Sequence, residues 1–142
     1  FSVGINGKSS EFHAAMGLCL LPMMNDFMEN RKSTALLYDQ QLSTLPVKRP
    51  SAMEGTEYNY SYYPVVFETE EQMLIVKAKL EEKGVGTRRY FYPSLNNLPQ
   101  YKGEGCPVSE SVSARVLALP YYYQMEETDV QMICDCIKTA FV

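Results

Sequence analysis

The sequence predicts an α/β chain of the α+β sandwich kind, with a small antiparallel or mixed sheet covered by helices on one face and preceded by a long helical arm. Three observations predict it. One helical stripe runs from Met23 to about Thr44, a strand, helix, strand unit occupies 62–92, and an apolar run closed by Pro120 leads into a last amphipathic helix.

Each element has a local cause. Ser9 or Ser10 caps a first helix on which Phe12, Ala15, Met16, Cys19 and Leu20 recur at helical spacing. Pro22 stops that helix and starts the next, where Met24, Phe27, Met28, Arg31, Ala35, Tyr38 and Leu42 keep one stripe over roughly six turns. Residues 46–61 mix prolines, a glycine and polar residues without a period, and read as a connecting loop. YYPVVF at 62–67 is aromatic and β-branched, hence a strand, with Pro64 at an edge or as its first paired residue. Thr69-Glu70-Glu71-Gln72 is a capping box; Met73, Val76 and Leu80 follow on one helical face and Gly84 is the stop.

Val85 to Tyr92 is then expected as a second strand, completing a unit of about thirty residues. A shorter helix after Pro107 leads into the strand-like ARVLALP. Thr128-x-x-Gln131 forms another capping box, and Val130, Ile133, Cys134, Ile137 and Phe141 line one face to the end. The chain divides into a helical arm, 1–45, and an α/β domain, 46–142.

Composition excludes several classes. With 46% apolar and 21% charged residues in 142, the chain is composed like an ordinary globular domain. The net charge of −4 and scattered Lys and Arg leave no footprint for nucleic acid. The longest apolar run, Ala14 to Met24, is about half the length of a membrane span and is interrupted by Pro22, so no membrane partner is expected. Four cysteines in apolar or helical contexts read as reduced, which points to a cytoplasmic protein. The chain opens on Phe1, already inside patterned sequence and without signal-peptide regions, which reads as the cut end of something longer.

Familiar chemistries fail on geometry. His13 is the only histidine and lies two residues from Glu11 on a helix, where the two positions face apart, so it reads as a packed or hydrogen-bonded helix residue. Cys134 and Cys136, also two apart on a helix, diverge and read as small core residues, not a metal pair. GINGKSSEF at 4–12 sets two glycines around Asn6 ahead of a serine cap, a context for an anion, although spacing alone favours a plain turn. The tyrosines at 58, 60, 62, 63 and 121–123 offer flat faces with hydroxyls, yet each one singly reads as structural.

GVGTRRYFYPSLNNL at 84–98 is different in kind. As a strand it would put Thr87, Arg89 and Phe91 on one side and Arg88, Tyr90 and Tyr92 on the other, mixing guanidinium with aromatic rings on both. That suits an anionic, ring-bearing ligand, because arginine pairs with phosphate or carboxylate and aromatics stack. A salt-bridged surface strand accounts for the same residues equally well.

Three stretches, in order, resemble one family. GINGKSSEFHAAMGLCLL with the arginine and tyrosine of NRKSTALLYDQQL, then GVGTRRYFYPSLNNLPQY, then CPVSESVSARVLALPYYYQMEETDVQMI resemble the C-terminal part of the DegT/StrS-type sugar-nucleotide aminotransferases. The resemblance implies pyridoxal phosphate as cofactor and the aspartate-aminotransferase type of fold, with a large cofactor domain joined by the arm to this smaller one. It implies a homodimer with shared active sites, and a nucleoside-diphosphate keto-sugar and glutamate as substrates. It also places the lysine that bonds the cofactor upstream of the GxN block, so none of the catalytic residues is expected in this chain.

By the same resemblance, Asn6 matches an asparagine that reaches across the dimer to the cofactor phosphate, and Lys8 stands where arginine is commoner. The substrate segment usually reads HYPxLH. Here Tyr92 and Pro93 match, Phe91 replaces the first histidine and Asn96 the last, and the TR..FYP form that includes Arg88 resembles the branch aminating C4 of 4-keto-6-deoxy sugars. Two readings stand beside it: a non-catalytic module that binds a nucleotide sugar or a partner subunit, and a dehydratase-like relative with histidine in place of the lysine.

Overall fold

The computed structural model describes residues 7, 9–101 and 104–141. Five helices and two strands follow in the order α1 (Glu11–Leu20), α2 (Met24–Leu42), β1 (Pro64–Val66), α3 (Glu70–Glu82), α4 (Pro107–Arg115), β2 (Val116–Ala118) and α5 (Glu127–Lys138), with 3-10 turns at Leu21–Met23 and Leu95–Asn97. The sheet is antiparallel, Pro64 opposite Ala118 and Val66 opposite Val116. Single bridges widen it on both sides, Lys48 to Val66 and Arg88 to Ala118. The result is the small sheet with helices on one face that the patterning predicts.

Alternation along the strands decides which side is core. Val65 and Leu117 are fully buried beneath α2, α3 and α5, while Pro64 and Val66 turn to the open face. On the helices the buried sets are Ala35, Tyr38 and Leu42, then Met73, Val76 and Leu80, then Val130, Ile133, Cys134 and Ile137, each at three- and four-residue spacing. Burying each larger side chain contributes about 1.5–3 kcal/mol. Two tyrosines anchor the centre: the Tyr38 and Tyr63 rings lie 4.6 Å apart, and the Tyr63 hydroxyl donates to Asp39 at 2.8 Å.

The segment Pro120–Met125 straps α2 to this core. Tyr38 donates its hydroxyl to the Pro120 carbonyl at 3.0 Å, Tyr121 donates to the Arg31 carbonyl, and the Gln124 amide donates to Asn30 Oδ1 at 2.8 Å. Phe27 and Tyr123 meet edge to face at 4.7 Å. Gln124, next to last in the strap, has φ 58°, a left-handed conformation that aims its N–H at the helix.

Several local expectations hold. Ser10 is the N-cap of α1, and His13 Nδ1 meets its hydroxyl at 2.8 Å and accepts from its amide at 3.3 Å, so the histidine is a hydrogen-bonded helix residue. Thr69 and Gln72 form the capping box reciprocally, at 3.1 and 3.3 Å. Gly84, at φ 76°, lets the chain leave α3. All four cysteines are free, with Cys134 in the core.

Two expectations fail. The strand expected over 85–92 shrinks to the bridge at Arg88, because Arg89 turns its side chain to the ends of two helices and the chain turns over 90–93. Arg88 and Tyr90 still share a side, joined at 2.8 Å, but Arg89 is mostly buried while Phe91 is exposed. The second capping box is not used either. α5 starts at Glu127, before Thr128 can cap it, since the Glu126 carbonyl already accepts from Asp129 and Val130, and Glu127 and Asp129 favour the positive end of the helix dipole.

Candidate substrate cleft on the open sheet face

The face of the sheet turned away from the helices carries a cleft. Its floor is Pro64, Val66 and Val116, the residues that alternate with the buried Val65 and Leu117. Phe91 and the loop Ser94–Asn96 form one wall and α4 the other, enclosing a cavity of about 490 Å³. A smaller compartment of about 220 Å³ adjoins it across Pro64, Tyr90, Phe91 and Val116, and is closed by Tyr62 and Ala118. Tyr62 and Tyr90 meet edge to face at 5.5 Å, and Tyr90 also meets Phe91 at 5.3 Å, so the compartment is walled by a cluster of rings.

Local hydrogen bonds fix the loop against α4. Ser94 Oγ, nearly buried, donates to Asn96 Oδ1 at 2.7 Å and meets Ser109 Oγ at 2.7 Å. Asn96 Nδ2 donates to Glu110 Oε1 at 2.6 Å, and the same oxygen accepts from the Cys106 amide at 2.9 Å. These two donors, the amide of Cys106 first, hold the Glu110 carboxyl below the usual carboxylate range.

The sequence-predicted substrate residues divide between cleft and rim. Phe91 and Asn96 line the larger cavity; Phe91 is 70% exposed, whereas both ends of the Asn96 amide are already engaged with its own loop and α4. Arg88 and Tyr92 lie outside that lining. Arg88 exchanges backbone hydrogen bonds with Ala118, at 2.8 and 3.4 Å, and its exposed guanidinium donates to the Tyr90 hydroxyl. It has no carboxylate partner among the described residues. Tyr92, half exposed, has the Arg89 guanidinium over its ring, 3.6 Å from the centre. Asn6 and Lys8 lie outside the described residues.

Sequence reasoning missed Tyr62 and Tyr90 as cleft residues and Glu110 as the anchor of the cleft loop. Tyr62 was within reach, because it precedes Pro64 by two and so falls on the same strand face. Glu110 was not, since its partner Asn96 is fourteen residues away across a loop. A larger groove of about 660 Å³ runs between α3 and α5, where several polar groups are engaged within the fold: Lys79 donates to Thr139, and Asp135 accepts from Lys138 and Gln131. No cluster of three or more metal-ligating side chains occurs among the described residues, and no described helix is long and apolar enough to cross a membrane.

The chain is similar to known proteins along nearly its whole length. It is 34% identical over 139 residues to the dTDP-4-amino-4,6-dideoxy-D-glucose transaminase of Escherichia coli, an alignment covering 92% of this chain and 38% of that protein. The crystal structure of DesI in the presence of its TDP-sugar product superposes with a TM-score of 0.80 at 30% identity, over 96% of this chain and 36% of that one. A DegT DnrJ EryC1 StrS aminotransferase from Brucella abortus superposes with a TM-score of 0.79 at 29% identity, covering 98% and 38%. The chain therefore spans under two fifths of these relatives. Residues 2–138 match the family model itself, and the chain belongs to the DegT/DnrJ/EryC1/StrS aminotransferase family.

Proposed function

We propose that this chain is the C-terminal region of a pyridoxal-phosphate-dependent aminotransferase that moves an amino group from glutamate to C4 of a 4-keto-6-deoxyhexose carried on a nucleoside diphosphate. The enzyme works as a homodimer in the cytoplasm, with 1–45 as the arm toward the cofactor domain and 46–142 as the small domain. The observation that supports this reading most is the 34% identity to a 4-amino-sugar transaminase over 92% of the chain.

The cleft has the chemistry such a substrate needs. Its lining offers aromatic and apolar surface with hydroxyls and an amide, and holds no lysine or histidine that could bond a cofactor or relay a proton. The described residues therefore fit the substrate side of the reaction. When bound, pyridoxal phosphate supplies the electron sink on which amino transfer depends. Asn6 and Lys8 are assigned to its phosphate.

Within this scheme the chain's own groups bind, orient and exclude water. Arg88, which has no carboxylate partner among the described residues, meets the diphosphate and supplies positive charge locally in a chain of net charge −4. Phe91 and Tyr92 present ring faces to the sugar. Asn96 keeps the loop closed on α4, and its position fixes the cleft wall.

The test is transfer of label. The complete enzyme, given ¹⁵N-glutamate, pyridoxal phosphate and a nucleotide-linked 4-keto-6-deoxyhexose, is expected to place ¹⁵N on C4 of the sugar. Turnover to a deoxygenated sugar without nitrogen would instead identify a dehydratase, and binding without turnover a non-catalytic module.

A further inference from the structure

We propose that Arg89 is a positioning residue that acts on substrate through Tyr92, an inference resting on the substrate reading of the cleft. Its side chain is 15% exposed and is gripped from two sides. Nη2 donates to Glu70 Oε1 at 2.7 Å and to the Ala114 carbonyl at 2.7 Å. Glu70 is the first residue of α3, and Ala114 lies in the last turn of α4, where carbonyls have no intrahelical partner. The guanidinium thus sits where a helix start and a helix end converge, and α4 turns the negative end of its dipole toward it.

Held there, the guanidinium lies 3.6 Å from the centre of the Tyr92 ring, the closest cation–ring approach among the described residues. Its Nε is buried without a hydrogen-bond partner. Arg31 and Arg49 share that orphan Nε, so what singles Arg89 out is that its head both grips two helix ends and sits over a ring. Tyr92 keeps its other side in solvent, 51% exposed. One face is clamped from within the fold and the opposite face is presented outward, so a tyrosine in a turn is held like one on a rigid strand. Arg89 itself is screened from that outer face by the ring it supports.

The complete enzyme tests this through its two half-reactions, measured separately. Arg89→Lys keeps the charge beside Glu70 but loses the flat fork. It is expected to raise KM for the keto-sugar nucleotide about tenfold, the scale of one lost ring contact, with kcat and the glutamate half-reaction unchanged. Tyr92→Ala is expected to raise the same KM at least as much, and the double variant to be no worse than Tyr92→Ala alone. Should Arg89→Lys fail to fold, Glu70→Gln, which loosens the grip on the guanidinium, carries the same test with a smaller rise. Equal loss in both half-reactions, or full additivity with Tyr92→Ala, would overturn the proposal by making Arg89 structural. A normal keto-sugar KM in Tyr92→Ala would overturn it by removing Tyr92 from the substrate, while absence of any amino transfer by the unaltered enzyme would remove the functional reading beneath it.

Discussion

α1 and α2 follow one another in the chain and meet opposite fates. α1, EFHAAMGLCL, is the more apolar by far and buries nothing: Phe12 is 89% exposed, and Met16 and Leu18 are more than half exposed. α2, MNDFMENRKSTALLYDQQL, is mostly polar, yet it delivers Tyr38 to the centre of the core at full burial. The difference lies in what each helix meets. α5 and the Pro120–Met125 strap reach α2 from Phe27 onward, and nothing among the described residues packs on α1. Apolar spacing makes a face; only a partner makes it core.

The contrast can be broken most forcefully at Tyr38. Tyr38→Ala is expected to cost about 3–5 kcal/mol in chemical denaturation, against under about 0.5 kcal/mol for Phe12→Ala in the same chain. Comparable losses would mean that α1 is packed after all. Thiol reactivity sharpens the same point. Burial pushes the Cys134 thiol up to about 12, while Cys19 on α1 is exposed. At pH 8 Cys19 should be alkylated at least ~100 times faster than Cys134, read by mass spectrometry of timed aliquots. Equal rates would place the two cysteines in equivalent surroundings.

A finer cut is Asn30→Ala, which leaves the Gln124 amide without its acceptor and is expected to cost about 1–2 kcal/mol, with no change in α1 helicity. Loss of helix signal from α1 would show that the strap supports both helices. The smallest effect lies on the open face. With its folded pKa lowered, the Glu110 carboxylate contributes stability that is present above the ordinary glutamate pKa of about 4.3 and lost as pH falls below it. Backbone resonances of Leu95–Asn97 should therefore hold through the ordinary glutamate range and shift only below it, and Glu110→Gln should remove that late response. A shift already complete within the ordinary range would mean that the loop has no tie of its own.

The parts of the fold legible in the sequence are those whose causes are local. Thr69 and Gln72 cap α3 within four residues, and Val130, Ile133, Cys134 and Ile137 stripe α5 within three turns; both read directly. Val85 to Tyr92 misled because a strand's period says nothing of where its side chains find partners, and Arg89 finds Glu70 and Ala114 nineteen and twenty-five residues away. The start of α5 misled for the converse reason, because a well-formed box at Thr128 and Gln131 is idle once a backbone turn at Glu126 has begun the helix. At the cleft, composition left the stretch 84–98 balanced between a salt-bridged strand and a ligand-facing one, and the family resemblance singled out Arg88, Phe91, Tyr92 and Asn96 but not how each is held. Their holding depends on Glu110, on the Glu70 and Ala114 partners of Arg89 and on the sheet floor, which meet the stretch only through the tertiary fold.

The strap on α2 has a mechanical consequence. Its attachments run from Phe27 to Tyr38, about 16 Å of helix axis, and they engage ring edges, a side-chain amide and a backbone carbonyl on successive turns. A roll by one residue would carry every attachment about 100° out of place together. Such a helix behaves as a splined shaft: it passes torque from one end to the other with no slip, and its central amides should exchange with solvent only when the whole sheet opens.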